Sequence, residues 1–321
     1  MSTDTTPPMT ADGVTTPYDV LVVGGGAAGL SAALTLSRAR RRVMVIDAGQ
    51  PRNAPASAVH GLLGHEGISP VELLARGRTE VQRFGGELRS GSVEEVRTTP
   101  AGFSARLADG SEVEGRRLLI ATGLVDELPD VPGVREQWGV GVVHCPYCHG
   151  WEIQDRHIGV LATGPMSVHQ ALLFSQWSSQ VTLFAAAIEM TEPDLALVAA
   201  AGIEVVSGAI DSVVSDHDGV HSVRLADGTD HRVEAVAVAS RMLARIAPFA
   251  ALGVHATDHP LGQFLEADAT GRTGVPGIWA AGNVSNLSAQ VGAAAAEGAW
   301  AAAQINADLL FADLDARVRP A

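Results

Sequence analysis

Between the apolar run Tyr18–Gly24 and an alanine- and leucine-rich stretch reaching about Arg40, the chain carries Gly24-Gly25-Gly26-Ala27-Ala28-Gly29. A second apolar run, Arg42–Asp47, follows and ends on an acid. The pattern predicts a buried parallel strand, a tight turn, a helix and a second strand. Each glycine has a reason to be there. Gly24 permits the turn, Gly26 lets backbone approach a pyrophosphate at the helix N-terminus, and Gly29 lets helix and strand pack closely. Asp47 is placed to accept hydrogen bonds from a ribose. The alternative for such a turn is a glycine-rich corner with no ligand, but the strand-before and helix-after context favours a dinucleotide.

The same module recurs. In the first copy, Val71–Phe84 reads as an amphipathic helix. Ser92–Val96, Phe103–Leu107 and Glu112–Glu114 read as a meander, and Arg117–Ala121 as a closing strand followed by Thr122-Gly123. The second copy begins at His157. It has strand Ile158–Ala162, helix Ser167–Trp177, strand Gln180–Phe184, a further meander, and closing strand Val233–Ala239. A last strand, Gly277–Ala281, precedes a long alanine-rich helix, Ala289–Leu310. The expected fold is α/β, with two Rossmann-like lobes and the second inserted into the first. Residues 17–133 plus 243–321 would form the outer lobe and 134–242 the inserted one, after a disordered Thr/Pro-rich tail at 1–16. Arg117–Gly123 and Gly277–Asn283 add two more strand ends that close on glycine, and ligands of open α/β sheets bind at such ends. Together with the fingerprint they point to a long dinucleotide, FAD.

The chain has two cysteines in 321 residues, Cys145 and Cys148. Two thiols at this spacing can close and reopen a small disulfide ring, and His144 and His149 flank them. Zinc is the competing use, but structural zinc needs a second ligand pair, and adjacent His and Cys side chains do not converge easily on one metal. The formal net charge of −14 disfavours nucleic acid and anionic membrane as partners. No signal peptide or apolar span of membrane length is evident, so the expected address is the cytoplasm, where an isolated thiol pair points to catalysis. Hydrophobic residues make up 46 % but aromatics only 4 %, so the core must be built from Ala, Val, Leu and Ile.

From about Pro17 to Leu310 the chain resembles the low-molecular-weight thioredoxin reductases. The matching pieces are the glycine fingerprint, Ala121-Thr122-Gly123, the Cys-x-x-Cys before the second βαβ unit, and Pro276-Gly277-Ile278-Trp279-Ala280-Ala281-Gly282-Asn283. The resemblance implies FAD held by Gly24, Gly26, Ala27, Ala28, Gly29, Asp47, Asn53, Ala121, Thr122, Gly123, Gly282 and Asn283, with Gln290 and Val291 near the flavin ring. Asn283 stands where the family has Asp. The family is typically homodimeric.

The second lobe departs from that pattern. Where the family binds NADPH through Gly-x-Gly-x-x-Ala, this chain has Ala162-Thr163-Gly164-Pro165-Met166-Ser167. Pro165 lacks an N–H for a phosphate. Ala185-Ala186-Ala187 replaces the basic cluster, and Ser240 stands where a glycine is expected. An NADPH site is therefore expected to be non-functional.

Cys145-Pro-Tyr-Cys148-His149-Gly resembles a narrower subgroup, the FAD-dependent dithiol oxidases that close disulfides in natural products of the gliotoxin and holomycin type; Arg52-Asn53 and His60-Gly61-Leu62-Leu63-Gly64 fit it as well. The resemblance implies a small-molecule dithiol and O2 as substrates, with Cys145, Cys148, His149 and His144 as the catalytic set. A thioredoxin reductase-like enzyme drawing on NADPH or ferredoxin, and a flavin-bound redox sensor, are the alternatives.

Overall fold

The computed structural model describes residues 17–318. The expected tail at 1–16 lies outside the described residues. Contacts divide the chain into two units: one takes the residues up to Pro51, Val71–Val125 and Leu243 onward, and the other takes Arg52–Pro70 and Asp126–Met242.

In the first unit, strands Glu87–Ser90, Val43–Asp47, Tyr18–Val23 and Glu112–Ile120 lie side by side. Glu112–Ile120 is one continuous strand where the sequence suggested two. Its first half pairs antiparallel with Gly102–Leu107, Gly115 opposite Phe103. Its second half pairs parallel with Tyr18–Val23 on one side and Ile278–Ala280 on the other. Gly115 does not break it, because a Cβ there would fall 2.6 Å from Leu21 Cγ. Glycine is what lets the strand cross a crowded point of the sheet.

One face of this sheet is covered by the helices Ala27–Arg38 and Val291–Val318. The two helices meet backbone to backbone, since a Cβ on Gly298 would stand 2.0 Å from the Ala28 carbonyl oxygen. Ala32, Ala33, Ala301 and Ala302 are buried with Leu36, Ile305 and Leu309 around that contact. Each buried Leu or Ile contributes roughly 1.5–3 kcal/mol. Arg41 and Arg116 both bind Asp313, and Arg117 binds Asp308, so charged pairs secure the same helix to the sheet margin. The helix runs beyond the expected Ala289–Leu310.

In the second unit, strands Glu204–Val206, Val181–Phe184, Ile158–Leu161, Ala235–Val238 and Val142–Val143 form a wholly parallel sheet in that order. A meander of Ile210–Asp216, Gly219–Leu225 and Asp230–Arg232 accompanies it. The expected two-lobe α/β architecture is present, with the second lobe inserted. The expected boundaries shift, however. Arg52–Pro70 belongs with the inserted unit, held by Arg52 on Asp126, by His60 on Glu152 and by Gly139 packed against Pro55. These long-range contacts leave no local trace. Helix Glu192–Ala200, which apolar periodicity did not mark, starts on a capping box between Thr191 and Asp194. Among the described residues, no helix is long and apolar enough to cross a membrane.

Gly298→Ala tests the helix contact. It should destabilise the protein by about 1–3 kcal/mol through backbone overpacking, read as a lowered Tm in scanning calorimetry. An unchanged Tm would show that the two helices are not in backbone contact.

Candidate active site

The first unit brings most of the expected cofactor residues together. Gly24 has φ 109°, and a Cβ on it would lie 2.2 Å from the Ala121 carbonyl oxygen. A Cβ on Gly29 would lie 1.9 Å from the Gly24 carbonyl, whereas Gly26 faces open space. Only Gly26 is thus free of protein on its Cα face, as a phosphate cradle requires. Gly26 caps the helix without a side-chain bond, so the first N–H groups at Ala27 and Ala28 point outward from the turn. Asp47 Oδ1 accepts from the Gly25 N–H at 3.1 Å, and Arg78 reaches Oδ2 at 3.2 Å. Ala281 N–H donates to the Ile120 carbonyl, and Gly282 packs on Ala28, so all three glycine-ended strands converge. The donor set and the open face at Gly26 fit the pyrophosphate of FAD.

Some expected residues do other work. The Thr122 hydroxyl donates to the Arg245 carbonyl at 2.6 Å. Asn53 lies in the other unit. The Asn283 side-chain amide donates to the carbonyls of Asn286, Leu287 and Ala289, 2.9–3.3 Å away. It closes the turn that leads through Gln290 into the helix beginning at Val291. A carboxylate could not do this, because it has no donor. Sequence reasoning missed Glu297, which accepts from the Gly282 N–H and the Asn286 amide. Its signal was faint: the lone acid in the alanine-rich first half of that helix.

The dithiol lies in the second unit. Strand Val142–Val143 ends the parallel sheet, and Cys145 caps the short helix Pro146–His149. Pro146 at the first helical position sets the turn. Both cysteines are half-buried and reduced. The Cys148 thiol donates to the Cys145 sulfur, and the backbone N–H groups of Cys148 and Tyr147 add to it. These donors pull Cys145 below the ordinary thiol range. The same shared proton, with burial, pushes Cys148 up. The pair therefore holds one negative charge in preference to two, and Cys145 carries it.

His144 and His149 both titrate below the ordinary imidazole value, first because burial disfavours the charged ring. Arg52 adds to the effect on His144 and His60 on His149, while Glu152 opposes it at His149. His144 Nδ1 faces the Val238 carbonyl at 3.3 Å, and the Gln170 amide holds the His144 carbonyl at 2.7 Å. His149 Nδ1 is buried with no partner, an uncommitted nitrogen beside the thiols. A neutral imidazole with a free nitrogen can take a proton from sulfur. The metal-type cluster found among the described residues, Asp216-His217-Asp218, is exposed and includes neither cysteine.

The loop after strand Ile158–Leu161 is closed on itself. The Ser167 hydroxyl, fully buried, accepts from the N–H of Thr163 at 3.0 Å and of Gly164 at 3.3 Å. Those are the donors such a loop would present to a phosphate. Ser240 donates to Asp126 Oδ1 at 2.6 Å.

Residues 18–298 match the pyridine nucleotide-disulphide oxidoreductase family. The thioredoxin reductase tcpT of Claviceps purpurea (strain 20.1) is 31 % identical over 91 % of this chain and 95 % of its own. The thioredoxin reductase sirT of Leptosphaeria maculans is 30 % identical over 94 % and 97 %. The crystal structure of HlmI is 40 % identical with a TM-score of 0.90, covering 98 % of each chain.

Asn283→Asp replaces the clasp by a carboxylate facing three carbonyls. It should cost about 1–3 kcal/mol and reduce flavin retained on gel filtration. Wild-type stability and flavin content would show that the amide is not needed.

Proposed function

The chain belongs to the pyridine nucleotide-disulphide oxidoreductase family and is a flavin oxidoreductase acting on sulfur groups, and we propose that it is a dithiol oxidase that forms an intramolecular disulfide in a small-molecule dithiol. The observation that carries this reading is the closed loop at Ser167. Two backbone donors of the second lobe are satisfied internally, and Pro165 supplies none. With Ala185-Ala186-Ala187 after the next strand there is also no guanidinium for a 2′-phosphate. Electrons then have no NADPH source, and a substrate dithiol becomes the donor.

In the oxidised enzyme Cys145 and Cys148 are joined. A substrate thiol loses its proton to His149, and the thiolate attacks Cys145. The Cys145–Cys148 bond breaks, a substrate–Cys145 bond forms, and Cys148 leaves with the electron pair. The second substrate thiol, deprotonated through His149 or His144, attacks the substrate sulfur of the mixed disulfide. Cys145 leaves as thiolate, and the product carries a new S–S bond. A low-pKa leaving thiol departs faster, and the lowered Cys145 favours this second step. FAD, when bound, would supply a two-electron acceptor for the reduced cysteine pair, with O2 as the final acceptor and hydrogen peroxide as the product. Gly24, Gly26, Ala27, Ala28 and Gly29 would hold its pyrophosphate and Asp47 its ribose. Tyr147 and Trp151, 61 % and 69 % exposed beside the cysteines, give the dithiol unit an apolar aromatic margin suited to an apolar substrate. A homodimer is part of the proposal.

The relatives named thioredoxin reductase favour a second reading, reduction of a protein disulfide. Anaerobic NADPH decides between them. It should leave the visible flavin band intact while a small dithiol bleaches it, and oxygen should be consumed steadily in excess dithiol. Rapid bleaching by NADPH would establish the reductase. His149→Asn should lower kcat by about 10²–10⁴ with the loss concentrated below the pKa of the substrate thiol, where a base matters most. Cys148→Ser should abolish bleaching by dithiol; persistent turnover would refute its role.

A further inference from the structure

An ion pair in the dithiol unit, buried at Asp126 and partly exposed at Arg52, has no place in the steps above. The Asp126 side chain, 7 % exposed, takes two parallel bonds from Arg52, Nε to Oδ2 and Nη2 to Oδ1, each 2.7 Å. The Ser240 hydroxyl adds a third at 2.6 Å. Buried pairs of this kind contribute little to stability, because desolvation offsets the attraction. The geometry is nonetheless bidentate and additionally tied, which fixes the guanidinium in one orientation.

Strand register runs from the cysteine helix toward the Ser240 end of this pair. Strand Ala235–Val238 runs parallel to Val142–Val143, with Val236 opposite Val142 and Ala237 opposite Val143. Continuing that register sets Val238 level with His144, and His144 Nδ1 does meet the Val238 carbonyl. Ala239 and Ser240 then come level with Cys145 and Pro146. Ser240, Asp126 and Arg52 are thus anchored at the sheet edge from which the cysteine helix departs. Arg52 sits on the segment Arg52–Pro70, which joins this unit through that same pair.

We propose that Arg52, clamped by Asp126 and Ser240, is a positioning residue for the dithiol, its guanidinium serving as the fixed counter-charge for the sulfur anion left on Cys145 when the product disulfide departs. A guanidinium stays charged across the working pH range, so the counter-charge does not titrate away. The charge of Arg52 acts on Cys145 and Cys148 to favour the anion and on His144 to disfavour the imidazolium, leaving a neutral base beside an anionic sulfur. The other charged or titratable groups facing this centre are Cys148 at Cys145, Asp126 and His149 at His144, and Glu152 and His60 at His149. Ser240 thereby gains a purpose at a position where the resemblance expects glycine. Its hydroxyl holds Asp126 on Arg52.

The inference rests on the proposed role of Cys145 as the exchanging sulfur. The test uses the full-length flavoenzyme, reduced anaerobically with dithiothreitol and freed of it. Iodoacetamide is added across a pH series, and the labelled cysteine is mapped by mass spectrometry. In the wild type Cys145 should be labelled first. Arg52→Gln should raise the midpoint of Cys145 labelling by about half a pH unit, slowing labelling at pH 6 by roughly threefold. Arg52→Lys should raise it less, since charge survives and the two-point clamp does not. Ser240→Gly should shift it slightly in the same direction. A merely structural Arg52 would alter flavin content and circular dichroism without moving the midpoint. Cys145 labelled first, with its midpoint unmoved in Arg52→Gln of wild-type flavin content, overturns the role of Arg52 alone. If Arg52→Gln does not fold, unmoved midpoints in both Arg52→Lys and Ser240→Gly overturn it equally. Labelling that begins at Cys148 in the wild type refutes the catalytic assignment, and with it this inference.

Discussion

The backbone contact between helices Ala27–Arg38 and Val291–Val318 is the constraint on which the rest of the architecture depends. The chain leaves its first unit after Val125 and re-enters it at Leu243, so two distant segments must complete one core. Gly298 against Ala28 allows them to meet at the distance of two bare backbones, and the surrounding alanines extend that contact along both helices. The same close approach presses Gly282 onto Ala28, which aligns the last strand end with the glycine turn. A nucleotide cradle made from three chain segments is therefore a by-product of how the unit closes.

The inserted unit uses the same parallel-sheet plan for a different end. Its edge strand delivers a cysteine helix, and its strand-to-helix loop is sealed by Ser167. The polar groups that a dinucleotide lobe would present outward are committed inward instead: Thr163 to Ala239, Ser167 to the loop, Ser240 to Asp126. The charge proposed to face the sulfurs arrives from elsewhere in the sequence, on Arg52–Pro70. His60 in that segment lies between Glu66 at 2.6 Å and Glu152 at 3.3 Å, so one loop brings Arg52 to Asp126 and His60 to Glu152.

What could be read from the residues was whatever a backbone constraint writes locally. Gly24 and Gly29 were legible because any side chain there would collide with backbone, and the cysteine pair because thiols two residues apart have few other uses. The capping box at Thr191 was equally local, yet the helix it opens exposes Leu195 and Leu197 and lacks a clean apolar stripe. What could not be read was set at long range. Arg52 and Asp126 are far apart in sequence, and nothing near Arg52 announces that it belongs with the inserted unit. Asn283 was legible as a departure from a carboxylate but not as a clasp, because its three carbonyl partners depend on how the following turn folds.

The seal at Ser167 also bears on how this lineage can change. Once a side chain has taken over the donors of a phosphate loop, replacing it with glycine restores no binding, since Pro165 still withholds an N–H and no arginine follows the next strand. It would free the N–H groups of exposed Thr163 and half-buried Gly164 without supplying a third donor or a cation. Each step back gains nothing until all are taken together. On the proposed reading, a pyridine nucleotide would be accepted only if the changes at Ser167, Pro165 and Ala185-Ala186-Ala187 were all made together.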